Sequence, residues 1–158
     1  MKPRVYLETT VVSYLTALPS RDLVLAAHQQ LTSEWWQGRE RFDLFVSEAV
    51  LQEAAGGDQS AAARRNVALQ GIPVLAVTEA AANLARDLIA GRAVPAKAAV
   101  DAVHIAVAAV NGMDFLLTWN CAHIANAATR AMIDRVCRAA GVAPPAICTP
   151  EELAEEQP

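Results

Sequence analysis

The sequence predicts an α/β fold: a three-layer α/β/α sandwich with a central parallel sheet of four to five strands. Short apolar runs alternate with segments of helical period along the whole chain; strands separated by helices imply a parallel sheet covered on both faces. A length of 158 residues suits one full-sized core. No internal repeat, low-complexity linker or change of composition divides it. Residues 1–150 are therefore expected to form a single domain, with 151–158 as a short acidic tail.

The elements follow in order. Val5, Tyr6 and Leu7 form the first strand, which ends in the polar run Glu8, Thr9, Thr10. Residues 11–18 read as a short helix closed by Pro19 and Ser20. Residues 21–38 carry Leu23, Ala26, Ala27, Leu31 and Trp35 at helical spacing, with Asp22 as the start and Gly38 as the stop. Of the adjacent Trp35 and Trp36, one is expected to face the core and its neighbour to lie partly exposed. Residues 43–47 are the second strand. Ser47 is the natural N-cap of a helix over 48–55, and Glu48 at its first position is favoured by the helix dipole. After Gly56-Gly57-Asp58, residues 60–70 form a further helix ended by Gly71.

Residues 72–77 are the third strand, with Pro73 early in it, where a ladder donor is dispensable. Thr78 and Glu79 begin a helix that reaches about Ala90 and stops at Gly91. Pro95 begins an alanine-rich helix that ends at Asn111-Gly112. Val100, Val103, Val107 and Val110 recur along it at helical spacing, which predicts that this stripe faces the core. Residues 114–119 are the fourth strand, residues 124–140 a helix, and 146–148 a short fifth strand. Thr149 to Glu152 resembles a helix start, and 155–158 are expected to fray.

Composition excludes several function classes. No apolar run approaches the roughly 20 residues that span a bilayer, and the first ten residues enter a strand pattern with no signal-peptide core. The expectation is a cytoplasmic protein of bacterial type. Cys121, Cys137 and Cys148 are too few and too scattered for a disulfide framework or zinc cluster. A net charge of −4 argues against a protein coated along its surface by nucleic acid. A local basic rim is still within reach of Arg64, Arg65, Arg86, Arg92, Lys97, Arg130, Arg135 and Arg138.

The chemistry is carried by acids. Asp101 is flanked by Val and Ala in the alanine-rich helix; a carboxylate there loses hydration and needs a partner or a metal. Glu8 ends the first strand, while Thr118 and Asn120 end the fourth, at the C-terminal edge where open α/β sheets bind ligands. Glu53 lies on the helix that leaves the second strand and can lean over the same edge. Three carboxylates and a carboxamide could thus surround one point, a hard oxygen-rich set that suits Mg²⁺ or Mn²⁺. His104 shares the face of Asp101 and reads as a half-buried structural residue; His28 and His123 read as surface residues. No glycine-rich phosphate loop follows any strand, which argues against a nucleotide-binding or phosphatase-like protein.

The blocks VYLETT, VSEAVLQE, VDAVHIAVA and FLLTWN, in this order over about residues 4–126, resemble those of PIN-domain ribonucleases, especially VapC-like toxins of toxin–antitoxin pairs. The resemblance implies a Mg²⁺- or Mn²⁺-dependent endoribonuclease, commonly a homodimer, whose acidic pocket is occupied by a cognate antitoxin. By position it assigns Glu8, Glu53, Asp101 and Asn120 as the four pocket residues, with the metal on Glu8, Asp101 and Glu53. Thr10 and Thr118 match the supporting hydroxyl residues. Two residues depart from the pattern, Glu8 and Asn120 each standing where Asp is usual. They keep a second reading open, a PIN domain without catalysis that binds protein or RNA.

Overall fold

The structure, a computed structural model, describes residues 1–154; the end expected to fray, 155–158, lies outside the described residues. Its sheet is built on β1 (Arg4–Leu7), in which Val5, Tyr6 and Leu7 are at most 1% exposed. A strand buried on both faces must be apolar throughout, and these three residues meet that demand except for the Tyr6 hydroxyl. On one side β1 pairs with β2 (Asp43–Ser47), and β2 pairs with β3 (Val74–Leu75). On the other side β1 pairs with β4 (Phe115–Leu117), and β4 with β5 (Ala146–Cys148). All pairings are parallel, as the sequence predicts, and the order is β3-β2-β1-β4-β5.

Among the described residues, seven α-helices connect the strands: α1 (Thr9–Thr16), α2 (Leu23–Gln37), α3 (Glu48–Ala54), α4 (Gln59–Leu69), α5 (Glu79–Ala90), α6 (Ala99–Val110) and α7 (Ala127–Ala139). Helix α1 packs against α2 and α4, and α5 against α6 and α7, while α3 touches α1 and α4 on one side and α6 on the other. That division follows from the topology: the chain steps outward from β1 one way through β2 and β3 and the other way through β4 and β5. Right-handed crossovers taken in opposite directions place helices on opposite faces.

The starts of the helices agree with the expected caps. Asp22, Ser47 and Thr78 accept hydrogen bonds from the backbones of Leu25, Val50 and Ala81. Of the tryptophan pair, Trp35 is 2% exposed, while Trp36 is half-buried beneath the guanidinium of Arg39. At the C-terminus Thr149 and Glu152 exchange backbone and side-chain hydrogen bonds, the reciprocal pattern of a capping box, at the head of a single turn.

Several boundaries differ from expectation for identifiable reasons. Helix α1 begins at Thr9 because Glu8 itself caps it, so Thr9 and Thr10 are helical. Strand β3 keeps only Val74 and Leu75, since it is an edge and Pro73 cannot donate to a ladder. Pro95 starts a 3₁₀ turn, Ala96–Ala98, before α6 begins. The segment 120–125 forms turns around Asn120, which delays α7 to Ala127.

The valine stripe of α6 is not the buried face. Val107 is buried, but Val103 and Val110 are only partly so and Val100 is 45% exposed. With Val107, the residues fully buried are Ala102, His104, Ile105, Ala106 and Ala108. Small side chains let α6 approach α5 and the sheet closely, so the larger valines at 100 and 103 are left lining a groove beside α3.

Candidate active site

Glu8 is where β1 becomes α1. Its backbone N–H still bonds to Leu117 in the ladder, at 3.0 Å, while its side chain turns back as the helix cap. The carboxylate is almost buried, at 3% exposure. Oε1 accepts from the hydroxyls of Thr10 (2.6 Å) and Thr118 (2.5 Å), and Oε2 accepts from the Thr10 amide (3.2 Å). Each hydroxyl also accepts a backbone N–H, Thr10 from Trp119 and Thr118 from Asn120, both at 2.9 Å. Those amides leave each hydroxyl proton to Glu8, so the strand-end residues of β1 and β4 are stitched together through its carboxylate.

Glu53 approaches from the last turn of α3. Its Oε1 accepts from Thr9 Oγ1 at 2.7 Å and lies 2.6 Å from His104 Nε2. The His104 hydrogen bond holds its carboxyl below the usual range; burial pulls the other way, and Thr9 adds to the lowering. His104 is fully buried, and its other nitrogen lies 2.6 Å from the Tyr6 hydroxyl, which is 2.7 Å from Ser47 Oγ. Burial pushes the Tyr6 hydroxyl well above its ordinary pKa. His104 is thus a fully buried residue bonded to Glu53, rather than the half-buried companion of Asp101 that helical spacing suggests.

Asp101 stands in the first turn of α6 and meets another histidine. Its Oδ2 lies 3.0 Å from His123 Nδ1, and both side chains are partly exposed. The backbone N–H of His123 bonds to Asn120 Oδ1 at 3.1 Å, and the Asn120 carbonyl accepts from Ile124 and Ala125. Asn120 therefore organises the loop that carries His123 to Asp101. His123 is not the free surface residue expected from sequence. Nor is His28, which stacks on Trp119 with ring centroids 4.1 Å apart. The signals for these contacts were faint: Asn120 and His123 stand at the i, i+3 spacing of a side-chain cap, and a tyrosine inside a central strand needs a buried partner for its hydroxyl.

Among the described residues, Glu8, Glu53 and His104 offer ligand atoms that all lie within 4.8 Å of one another, a spacing that could hold a metal ion. Asp101 is not part of this group; it is joined to the site through His123, Asn120 and Thr118, in that order. Oxygen donors dominate the set, and Glu53 Oε2 has no hydrogen-bond partner among the described residues, which fits a hard divalent cation that keeps part of its water shell. Beside Glu53 opens a groove of about 610 Å³ lined by Glu48, Gln52, Val77, Val100 and Val103. A second hollow of about 340 Å³ has His123, Arg92 and Thr129 on its walls. Of the candidate basic rim, Arg64 and Arg65 are spent on backbone carbonyls at the ends of α1 and α3, whereas Arg92 borders this hollow.

Residues 5–120 match the PIN domain family. Among solved structures, the Mycobacterium tuberculosis protein VapC20, described as a sarcin–ricin loop cleaving toxin, aligns with a TM-score of 0.56. The alignment covers 75% of this chain and 92% of that one at 18% identity, a likeness of fold. No curated protein sequence matches the chain.

Proposed function

The chain belongs to the PIN domain family, and from that premise we propose that it is a metal-dependent endoribonuclease that hydrolyses RNA phosphodiester bonds, a toxin neutralised by a cognate antitoxin. The observation that carries the reading is the convergence of Glu8 and Glu53, from β1 and α3, on one point at the C-terminal edge of the sheet. Two carboxylates so close repel each other unless a cation lies between them or one is protonated. A cation there offsets charge on a phosphodiester and makes water a stronger acid.

In this reading Glu8 and Glu53 hold Mg²⁺ or Mn²⁺ and Asp101 completes the acidic pocket. Thr10 and Thr118 fix the rotamer of Glu8, which compensates for the extra methylene it has over Asp. Asn120 acts through the loop that it organises and, with its Oδ1 occupied by the His123 amide, contributes no charge. The groove beside Glu53, with an apolar wall and an acidic end, suits a segment of the antitoxin. Exposed Leu18, Leu23 and Val24, at 72%, 87% and 63%, give apolar surface for a second copy of the chain. No helix among the described residues is long and apolar enough to cross a membrane, in keeping with action on cytoplasmic RNA.

A second reading, a PIN domain that binds protein or RNA without cleaving, is favoured by one feature: Glu8 Oε1 already accepts two hydroxyl donors. The test is a pair of proteins, wild type and Asp101→Ala, melted with and without Mn²⁺ and incubated with total bacterial RNA. The nuclease reading expects cleavage by the wild type alone and stabilisation of the wild type by Mn²⁺. A wild type that neither responds to Mn²⁺ nor cuts RNA gives the decision to the binding module.

A further inference from the structure

The buried line Ser47–Tyr6–His104–Glu53 runs from the core to the acidic cluster, and the reading above makes no use of it. Its four residues come from β1, β2, α3 and α6, and its three contacts measure 2.7, 2.6 and 2.6 Å. His104 is fully buried, so water supplies neither ring nitrogen with a partner. The proton positions can be deduced from the two ends. Glu53 is a carboxylate that already accepts from Thr9, so Nε2 must bring the proton to the 2.6 Å contact; an Nε2 lone pair there would set two acceptors against each other.

Nδ1 is then the acceptor, and the Tyr6 hydroxyl donates to it. The Tyr6 oxygen accepts in turn from Ser47, whose own oxygen accepts from the Val50 amide. Every donor in the line points the same way, toward Glu53, and each of these buried polar groups is satisfied. The result for Glu53 is geometric. Its side chain has three rotatable bonds and is 40% exposed, yet Oε1 is clamped between Thr9 and His104, which leaves Oε2 as the oxygen free to meet a cation.

On the premise that the cluster is the metal site, we infer that His104, set by Tyr6 as an Nε2–H donor, is the positioning residue that orients Glu53 for the cation and is not itself a ligand. Imidazole nitrogens report this directly. In the wild type, long-range ¹⁵N–¹H correlation spectra are expected to show His104 protonated at Nε2 only, and to keep that proton as Mg²⁺ is titrated in. Protonation at Nδ1 alone, protonation of both nitrogens, or loss of the Nε2 proton on Mg²⁺ binding overturns the inference.

Variants give a second readout. His104→Leu is expected to weaken Mn²⁺ binding about 10–100-fold, the usual cost of losing a group that orients a metal ligand. His104→Gln, which keeps a donor, recovers most of that loss, and Tyr6→Phe falls between. Wild-type Mn²⁺ affinity in a folded His104→Leu protein overturns the inference; if that protein does not fold, the spectra and Tyr6→Phe decide. A wild type that binds Mn²⁺ but cuts no RNA removes the nuclease reading and leaves these affinities to judge His104. A wild type that binds neither cation overturns both.

Discussion

His123 Nδ1 lies 3.0 Å from Asp101 Oδ2, although 22 positions separate the two residues. Together with the contact between His104 and Glu53, it gives each of two acidic residues at the sheet edge its own imidazole. The two pairs differ in setting. His104 is fully buried, whereas the side chains of His123 and Asp101 are 31% and 19% exposed. A partly solvated partner orients a carboxylate without being essential to folding.

Substitutions at this second pair should therefore separate activity from stability. Asp101→Ala is expected to abolish RNA cleavage, and His123→Ala to lower it by about 10–100-fold, as for other groups that orient a functional carboxylate. Both proteins should keep a cooperative melt near that of the wild type. Cleavage at the wild-type rate by Asp101→Ala would remove Asp101 from the site.

Thr118→Val should fail differently. The hydroxyl is fully buried, donates to Glu8 Oε1 and accepts the Asn120 amide. Valine has the same shape and neither capacity, so two buried groups each lose a partner, at about 1–3 kcal/mol of stability. Urea denaturation measures this. A loss within error would mean that water takes over both bonds.

Asn120→Asp tests the charge of the pocket. The substituted side chain keeps an oxygen for the His123 amide, so folding should be little changed, while the pocket gains one negative charge. Mn²⁺ is expected to bind more tightly, measured by calorimetry at fixed ionic strength. Unaltered affinity would place residue 120 outside the electrostatic reach of the cation.

The thiols predict a chemical and a pH result. Burial pushes Cys137 up to about 11 and Cys148 up to about 12, whereas Cys121 is exposed. At pH 8 a disulfide reagent should titrate one thiol in the native protein and three after denaturation. The sign of the pH effect follows from linkage. Both buried thiols hold their protons more tightly folded than unfolded, so their contribution to stability is complete below the unfolded value of about 8.5 and is lost as pH rises through the folded values. Melting temperature should fall across this alkaline range, and less steeply in a Cys148→Ala protein.

The sheet and the caps were legible in the sequence because both are local. Apolar runs mark β1 and β2, and Asp22, Ser47 and Thr78 stand at the helix starts where their side chains accept. The inward face of α6 was not, since α6 packs at short range through Ala102, Ala106 and Ala108 and the larger valines that dominate its periodicity serve the groove. At the site, the positions of Glu8 and Glu53 followed from where their elements begin and end. The histidine partners did not. Each depends on a contact between segments distant in sequence, Tyr6 with His104 and Asp101 with His123, and the faint local signals do not say which residue the assembled sheet brings opposite which.

The order of strands also sets when this site can exist. The central strand β1 meets β2 about 40 residues later, but its other neighbour, β4, arrives only with residues 115–117, and Thr118, Asn120 and His123 follow. A chain emerging from the ribosome thus carries Glu8 and Glu53 long before it has the strand that stitches Glu8 in place, and pairings that close such long loops form late. The carboxylate of Glu8 can therefore be fixed in place only after residues 115–118 have paired along β1.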